Sequence, residues 1–216
     1  GTLGIDVSRV HTHAGDTKNA VYGGGAWASR GIAIGGEAAR QAAVRLKDKT
    51  LAIAGALLSM EPVLLDLREN AVISKDSGME QISLKELVGI VRYRQHMLPP
   101  TLDLDLTVTR HYVPQSFPYM MANGMQAAYV EVDTLTGLIK LLGFWVVEDC
   151  GRVINPLLVD EQIRGGVVQG IGAVLYEHCH YDEIGQLLTG SLVDYGVPMS
   201  GEMPDIVIAH VETFAQ

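Results

Sequence analysis

Residues 141–156, LLGFWVVEDCGRVINP, decide the fold that this sequence predicts. The apolar run 141–147 predicts a β-strand, and the Asp, Gly, Asn and Pro residues that follow it predict a turn. From Pro156 to Glu177 the pattern predicts a helix, in which the sequence EQIRGGVVQGIG has glycines where bulkier side chains are usual. The sequence therefore predicts a strand, a turn and a glycine-rich helix in direct succession.

This strand-turn-helix joint has two interpretations that spacing alone leaves open. Asp, Asn and exposed backbone amides in the turn can hydrogen-bond a polar ligand, and glycines on the helix let such a ligand approach the backbone closely. Alternatively, the glycines permit close packing between the helix and a sheet, and the joint binds nothing.

The rest of the chain predicts mixed α and β structure without a long linker. Helices are predicted at residues 35–60 and from Ser83, which has capping-box spacing to Glu86, to residue 94. Strands are predicted at residues 3–7, 63–67, 71–74, 104–112, 126–133, 138–147 and 206–211, and a hairpin at 181–189. We predict the α+β class, with mixed β-sheets, helices packed on one face and a length that permits two lobes.

Composition disfavours several classes of partner. Sixteen Lys and Arg residues stand against 25 Asp and Glu residues, which gives a formal charge of -9. No basic cluster is present to replace the counterions of a phosphate backbone, so we expect no nucleic-acid partner. Apolar runs such as 167–176 are too short and too rich in glycine to cross a bilayer, and the two cysteines cannot form a disulfide scaffold. We expect a soluble protein of the cytoplasm.

A second glycine-rich motif, GGGAWASRG at residues 23–31, precedes the predicted helix 35–60. Glycines before a helix favour anion binding, because the first amides of the helix lack partners and the helix dipole attracts negative charge. The motif lacks the Lys-Ser/Thr ending of a P-loop, and no strand leads into a dinucleotide-type turn. An ordinary glycine loop and an anion-binding loop both remain open.

Several motifs occur together in the order of a known family: GDTKNAVYGGGAWASRG, YVEVDTLTGLIKL, VEDCGRVINP and EQIRGGVVQGIGAVLYE. In this order they resemble the molybdenum-binding subunit of the xanthine dehydrogenase and aldehyde oxidase family, from about residue 3 to residue 213. The resemblance implies a molybdopterin-binding type of domain and a molybdenum-dependent oxidoreductase that hydroxylates an aldehyde or an N-heterocycle. We expect residues 1–216 to be the C-terminal portion of such a cofactor-binding domain.

The resemblance assigns cofactor-binding residues but no catalytic residue and no metal ligand. The family's segment that holds the pterin corresponds to Ala28, Ser29, Arg30 and Gly31. The turn that contacts the pterin dinucleotide in bacterial members corresponds to Asp149, Cys150, Gly151 and Asn155. The glutamine of the family's QGxG segment corresponds to Gln169. In this family the metal is held by the dithiolene sulfurs of the pterin and by oxo, sulfido and hydroxo ligands. We therefore expect Cys150 to line the site without binding the metal.

The resemblance also implies a larger complex. We expect [2Fe-2S] centres and FAD on other domains or subunits, the remainder of the molybdenum subunit as a partner, a small-molecule substrate and an oligomer. The cytosine dinucleotide is one candidate form of the pterin. The family's glutamate base lies in a GxGE segment beyond the strand 206–211, and residues 1–216 do not include it, so we expect this chain alone to be inactive. The alternative is a non-catalytic homologous fragment that serves as an interaction or assembly domain.

Overall fold

The computed structural model describes residues 1–18, 23–115 and 121–214, and the chain divides into two compact units, Gly1–Met120 and Met121–Gln216. Each unit contains a three-stranded sheet together with α-helices. The predicted α+β class is confirmed, and the division into two units agrees with the predicted allowance for two lobes.

The first unit combines an antiparallel sheet with two long helices. Its elements in chain order are a π-helical segment Gly31–Gly36, α1 Glu37–Leu58, β1 Leu65–Arg68, β2 Ala71–Ser74, β3 Glu80–Ser83 and α2 Leu84–Tyr93. The strands pair in the order β1-β2-β3. Short 3-10 turns lie at Val7–Arg9, Pro62–Leu64 and Gln95–Met97.

Local sequence explains the joints of this unit. Glu69 and Asn70 both adopt positive φ, 48° and 65°, as a two-residue hairpin turn between twisted strands requires. The hydroxyl oxygen of Ser83 accepts a hydrogen bond from the Glu86 amide at 3.2 Å, so the predicted cap of α2 is confirmed. The core of the first unit includes Ile53, Leu65, Val72 and Leu87, which are almost fully buried.

The second unit contains a parallel βαβ arrangement. Its elements are β4 Asn123–Val132, β5 Ile139–Asp149, α3 Pro156–Leu175, a short α4 Leu192–Tyr195, a 3-10 turn Ser200–Glu202 and β6 Ile206–His210. β4 and β5 form an antiparallel hairpin, and β6 adds parallel to β5. α3 connects these parallel strands and packs on one sheet face, where Val167 and Ile171 contact a cluster that includes Val146 and Ile206.

Two predicted strands are absent from the described residues. Residues 3–7 form no strand, because Gly4 adopts positive φ and the Asp6 carboxylate accepts hydrogen bonds from the Ser8 amide and hydroxyl, which starts a 3-10 turn. Residues 104–112 have no ladder partner in the described part of the chain. There the carboxylates of Asp103 and Asp105 accept from backbone amides two residues further on.

The two longest helices are not uniformly apolar. Along α1, Lys47 pairs with Asp66 and Lys49 pairs with Asp103, and along α3 glycines interrupt the apolar positions. Among the residues that the structure describes, no helix combines the length and the apolar character that a membrane crossing requires.

Burial of Val72 predicts a measurable contribution to the stability of the first unit. Val72 is 0% exposed, so Val72→Ala should lower the free energy of unfolding by about 2–3 kcal/mol, because methyl groups are lost and a cavity remains. Val63 is 71% exposed, and Val63→Ala should change the free energy of unfolding by less than about 0.5 kcal/mol. Urea unfolding of both variants measures the difference, and equal values would contradict the assigned core.

Candidate cofactor-binding site

The turn after β5 lies at the sheet edge where the parallel strands β5 and β6 both end. Asp149 Oδ1 accepts hydrogen bonds from the amides of Gly151 at 3.0 Å and Thr213 at 3.1 Å, and Asp149 Oδ2 accepts from the Thr213 hydroxyl. The Thr213 hydroxyl is the main cause that holds the pKa of Asp149 below its ordinary value, and the two amides add to it. The carboxylate therefore ties the turn to the segment after β6.

Other contacts hold the same turn against that segment. The Val153 amide donates to Glu212 Oε1 at 3.2 Å, and the Arg152 guanidinium lies over the Phe214 ring at 5.0 Å. Cys150 is exposed between these contacts. The turn is thus a fixed backbone structure with a cysteine on its surface.

The N-terminus of α3 follows the turn directly. The side-chain oxygen of Asn155 accepts a hydrogen bond from the Leu158 amide at 3.4 Å, and Pro156 occupies the first turn of the helix. Amides at a helix N-terminus attract negative charge, and ligands of α/β sheets commonly bind where parallel strands end. This edge is therefore chemically suited to an anionic group.

Beyond its first turns, α3 exposes a glycine face, which we define as Gly165, Gly166, Gln169 and Gly170. An added Cβ at any of the glycines of this face would meet no atom within 4 Å. Gly172 differs, because its Cβ would lie 2.5 Å from a Glu177 carboxylate oxygen and 3.0 Å from Pro198. A glycine inside a helix costs about 1 kcal/mol relative to alanine. Packing among the described residues explains why position 172 is a glycine, but it does not explain the glycines of the glycine face.

In the first unit, residues 23–31 form an ordered turn before the π-helical segment. Trp27 Nε1 donates to the Gly24 carbonyl at 2.6 Å, and the Arg30 guanidinium lies over the Trp27 ring at 5.2 Å. Ala28 and Ser29 adopt left-handed φ of 52° and 55°, a conformation that costs a residue with a side chain about 1–2 kcal/mol. Strained backbone and π-helical segments concentrate at functional sites.

The structure thus places the predicted residues in two groups. Asp149, Cys150, Gly151 and Asn155 share one turn of the second unit, with Gln169 on the helix that follows, whereas Ala28, Ser29, Arg30 and Gly31 are consecutive in the first unit. A cavity of about 630 Å³ in the first unit is mainly apolar, and none of the predicted residues lines it. The predicted site therefore differs from this cavity.

Sequence reasoning missed the partners that arrive from β6. Thr213 and Glu212 contact the turn because β6 pairs parallel to β5. No local sequence pattern predicts this pairing. His210, at the end of β6, likewise lies with Nε2 at 2.6 Å from Asp160 Oδ1 on α3, and its Nδ1 is buried without a hydrogen-bond partner in the described structure. This pair joins β6 to the first half of α3.

The second unit offers groups that an organic cofactor with its own metal ligands could use. In the described residues, no three His, Cys, Asp or Glu side chains form a group that could hold a metal ion. A metal held by the sulfurs of an organic cofactor requires hydrogen-bond partners and close backbone approach from the protein. The start of α3 supplies helix N-terminal amides, and the glycine face supplies open backbone. The donor set and the free space are both consistent with such a cofactor.

The hydrogen bonds of Asp149 predict a pH-dependent turn. Because its pKa is lowered in the folded state, Asp149 stabilises the turn above the pKa of an unfolded aspartate, and this contribution is lost as the pH falls through the lowered value. Asp149→Asn should therefore speed hydrogen exchange of the Gly151 and Thr213 amides at neutral pH. Asp133→Asn, in the β4-β5 turn, is the control and should leave those amides unchanged. Equal exchange in all three proteins would contradict this role.

Comparison with known proteins places this geometry in a family. Residues 1–204 match the model of the molybdopterin cofactor-binding domain. The chain is 36% identical to the nicotine 6-hydroxylase large subunit of Paenarthrobacter nicotinovorans, over 98% of this chain and 26% of that protein. It is 30% identical to the carbon monoxide dehydrogenase large chain of Hydrogenophaga pseudoflava, over 98% of this chain and 26% of that protein.

A solved structure gives the same result. The crystal structure of quinoline 2-oxidoreductase from Pseudomonas putida 86 superposes with a TM-score of 0.77 at 38% identity, over 89% of this chain and 24% of that chain. The chain spans about a quarter of the length of the curated relatives it matches. From the extent of the family match, this chain belongs to the molybdopterin cofactor-binding domain family of the molybdenum-dependent oxidoreductases.

Proposed function

We propose that this chain binds and orients the pterin of a molybdenum cofactor for the oxidative hydroxylation of an N-heterocycle, with an aldehyde as the other substrate class. The observation that carries the proposal is the glycine face of α3, whose open backbone no side chain among the described residues requires. The named substrates of the similar nicotine 6-hydroxylase and quinoline 2-oxidoreductase are nitrogen heterocycles, which favours that class. The similar carbon monoxide dehydrogenase has a named substrate that is not a heterocycle, so the substrate class proposed here follows the other two enzymes.

The glycine face suits a flat, polar ring system. Without Cβ atoms at Gly165, Gly166 and Gly170, a planar group can approach the helix backbone to van der Waals distance. The exposed amide of Gln169 lies among these glycines and can both donate and accept hydrogen bonds. A pterin presents donors and acceptors along its edges, so we assign Gln169 to that edge.

The turn after β5 suits the phosphate groups of a pterin or of its cytosine dinucleotide form. Asp149 cannot itself bind a phosphate favourably, because it is negatively charged and already accepts hydrogen bonds from Gly151 and Thr213. We assign Asp149 the role of holding the turn, and Asn155 the role of capping α3. Because the Gly151 amide already donates to Asp149, the exposed Cys150 and the amides at the start of α3 then face the anion.

The turn of the first unit is assigned to the pterin by its resemblance to the family. The left-handed backbone at Ala28 and Ser29 sets the course of the chain at the exposed Ser29, and the first amides of the π-helical segment follow at Gly31. Arg30, held over Trp27, adds a positive charge beside this backbone. Together these groups offer one hydroxyl, backbone amides and a cation to an electron-rich ligand.

When bound, the cofactor supplies the two-electron redox chemistry of hydroxylation. The residues assigned here bind, orient and fix hydrogen bonds, and none of them is assigned as a base. We propose that the remainder of the molybdenum subunit, [2Fe-2S] and FAD centres and an oligomeric complex in the cytoplasm supply the other functions. That this chain alone is inactive stays a prediction, as does its place as the C-terminal portion of a cofactor-binding domain.

Replacement of Gly165 tests the proposal because it should raise the stability of α3 and lower the cofactor content. In the native-length subunit, Gly165→Ala should raise the stability of α3 by about 0.5–1 kcal/mol, because alanine is the better helix former and nothing obstructs its Cβ. The same methyl group should lower cofactor content at least about fivefold, which corresponds to ~1 kcal/mol of lost binding. Molybdenum analysis and pterin fluorescence measure the content, and thermal unfolding of the apo-protein measures stability.

Gly89→Ala provides the matched control for Gly165→Ala. Gly89 lies within α2, and a Cβ there also meets no atom within 4 Å. This variant should gain stability in the same way and keep its cofactor. Full cofactor content in Gly165→Ala would reject the glycine face as a cofactor surface, and cofactor-free wild-type protein would favour the alternative of an assembly domain.

Replacement of Gly31 tests the first unit separately. Among the described residues, the atom that a Cβ at Gly31 would approach is the Ala26 Cβ at 3.9 Å, an ordinary contact distance, so we expect Gly31→Val to fold. If the pterin approaches this backbone, the valine side chain should displace it and yield folded protein with little molybdenum. Arg40→Ala, which removes an exposed ion pair with Glu37, should retain the cofactor. Normal molybdenum content in Gly31→Val would contradict the assignment of this turn.

A further inference from the structure

The sheet of the second unit has a face opposite α3 that carries apolar side chains. Residues that are directly paired in neighbouring strands project to the same side of a sheet. The pairs on this side are Met125 with Val147, Ala127 with Trp145, Tyr129 with Gly143, Trp145 with Val207 and Val147 with Ala209. We call these residues the open face. None of these residues is charged, and the next pair on the same side, Glu131 with Lys140, forms a charged border at one end of the open face.

Large side chains of the open face are exposed. Met125 is 77% exposed, Tyr129 61%, Val207 53%, Trp145 44% and Val147 43%. The outer edge of the Trp145 indole lies against Gly143, since a Cβ at Gly143 would be 2.7 Å from the ring. The aromatic ring therefore forms the centre of a continuous apolar surface.

The composition of β5 differs from that of a strand with one face in water. Such strands alternate apolar and polar residues, whereas residues 141–147 of β5 are LLGFWVV, apolar on both sides. One side, represented by Val146, is buried under α3. The other side has the composition of a buried face but is uncovered, and contiguous apolar surface of this kind marks an interface.

We propose that the open face is a permanent interface covered by another part of the same polypeptide in the native-length molybdenum subunit. This inference rests on the proposed function, which makes the chain part of such a subunit. The chain covers 26% of the nicotine 6-hydroxylase large subunit and 24% of the quinoline 2-oxidoreductase chain, so relatives of native length contain ample further chain. The covering segment should itself be apolar, because no charge on the open face requires a partner.

A second copy of this chain is the weaker occupant. Each copy has a formal charge of -9, so association would bring two like charges together. Association of separate molecules also costs translational and rotational freedom, which a segment of the same polypeptide does not lose. An interface without charged residues resembles the core of an obligate contact more than a transient surface.

Hydroxyl-radical footprinting of the native-length subunit tests the inference. The oxidation rates of Met125, Tyr129 and Trp145 are measured by mass spectrometry in the folded subunit and in the same protein unfolded by denaturant. A covered face should protect these residues at least about tenfold. Met79 and Tyr93, which are 67% and 83% exposed in the first unit, show the rate of residues outside the open face.

Three results would overturn the inference. In the first, Met125, Tyr129 and Trp145 oxidise in the folded subunit at nearly the rate of the unfolded protein. In the second, their protection disappears on dilution, which would identify a second copy as the occupant. In the third, the native gene product is no longer than this chain. The outcome is separate from the proposed function, because protection in a cofactor-free subunit would support the interface while contradicting cofactor binding.

A pair of variants supports the footprinting experiment. Val147→Lys places a charge in the centre of the open face, so it should lower the melting temperature and the soluble yield of the native-length subunit. Leu135→Lys changes a residue that is 95% exposed at the β4-β5 turn and should have little effect. Equal behaviour of the two variants would count against a covered face.

Discussion

The packing of α3 on the parallel strands β5 and β6 is the interaction on which the candidate site depends. Val167 and Ile171 bury against Val146 and Ile206, and a fully buried aliphatic side chain contributes about 1.5–3 kcal/mol. This contact requires one side of α3 to face the sheet, and therefore turns the glycine face outward. It also brings the ends of β5 and β6 together, so that Asp149 and Thr213 can form their hydrogen bonds.

Hydrogen bonds separate the proposed site residues that hold the structure from those that are proposed to face a ligand. The resemblance to the family predicts that Asp149 and Asn155 contact the cofactor, yet their side-chain oxygens accept hydrogen bonds from this chain's own backbone. In the part of the chain that the structure describes, Gln169 and the neighbouring glycines have no such internal role. A sequence match alone cannot make this distinction, because it records the residue type and not the partner that the side chain has found.

The open face and the glycine face lie on opposite sides of the second unit and share one property. Each carries a composition that is costly in water or in an isolated helix, and contacts within the described chain do not compensate for it. The glycine face is polar and flat, which suits an organic cofactor. The open face is apolar and centred on Trp145, which suits a protein segment. Chemistry therefore assigns them different occupants.

The sequence by itself determined the α+β class, the β1-β2 and β4-β5 hairpins, the Ser83 cap and the turn before α3, because these depend on neighbouring residues. It did not determine the parallel pairing of β6 with β5, the Thr213 contacts or the His210 pair with Asp160, because these join residues that are distant along the chain. It wrongly predicted strands at residues 3–7 and 104–112, since a strand needs a partner that alternation cannot supply. Only the tertiary structure decided which glycines are packed and which are open.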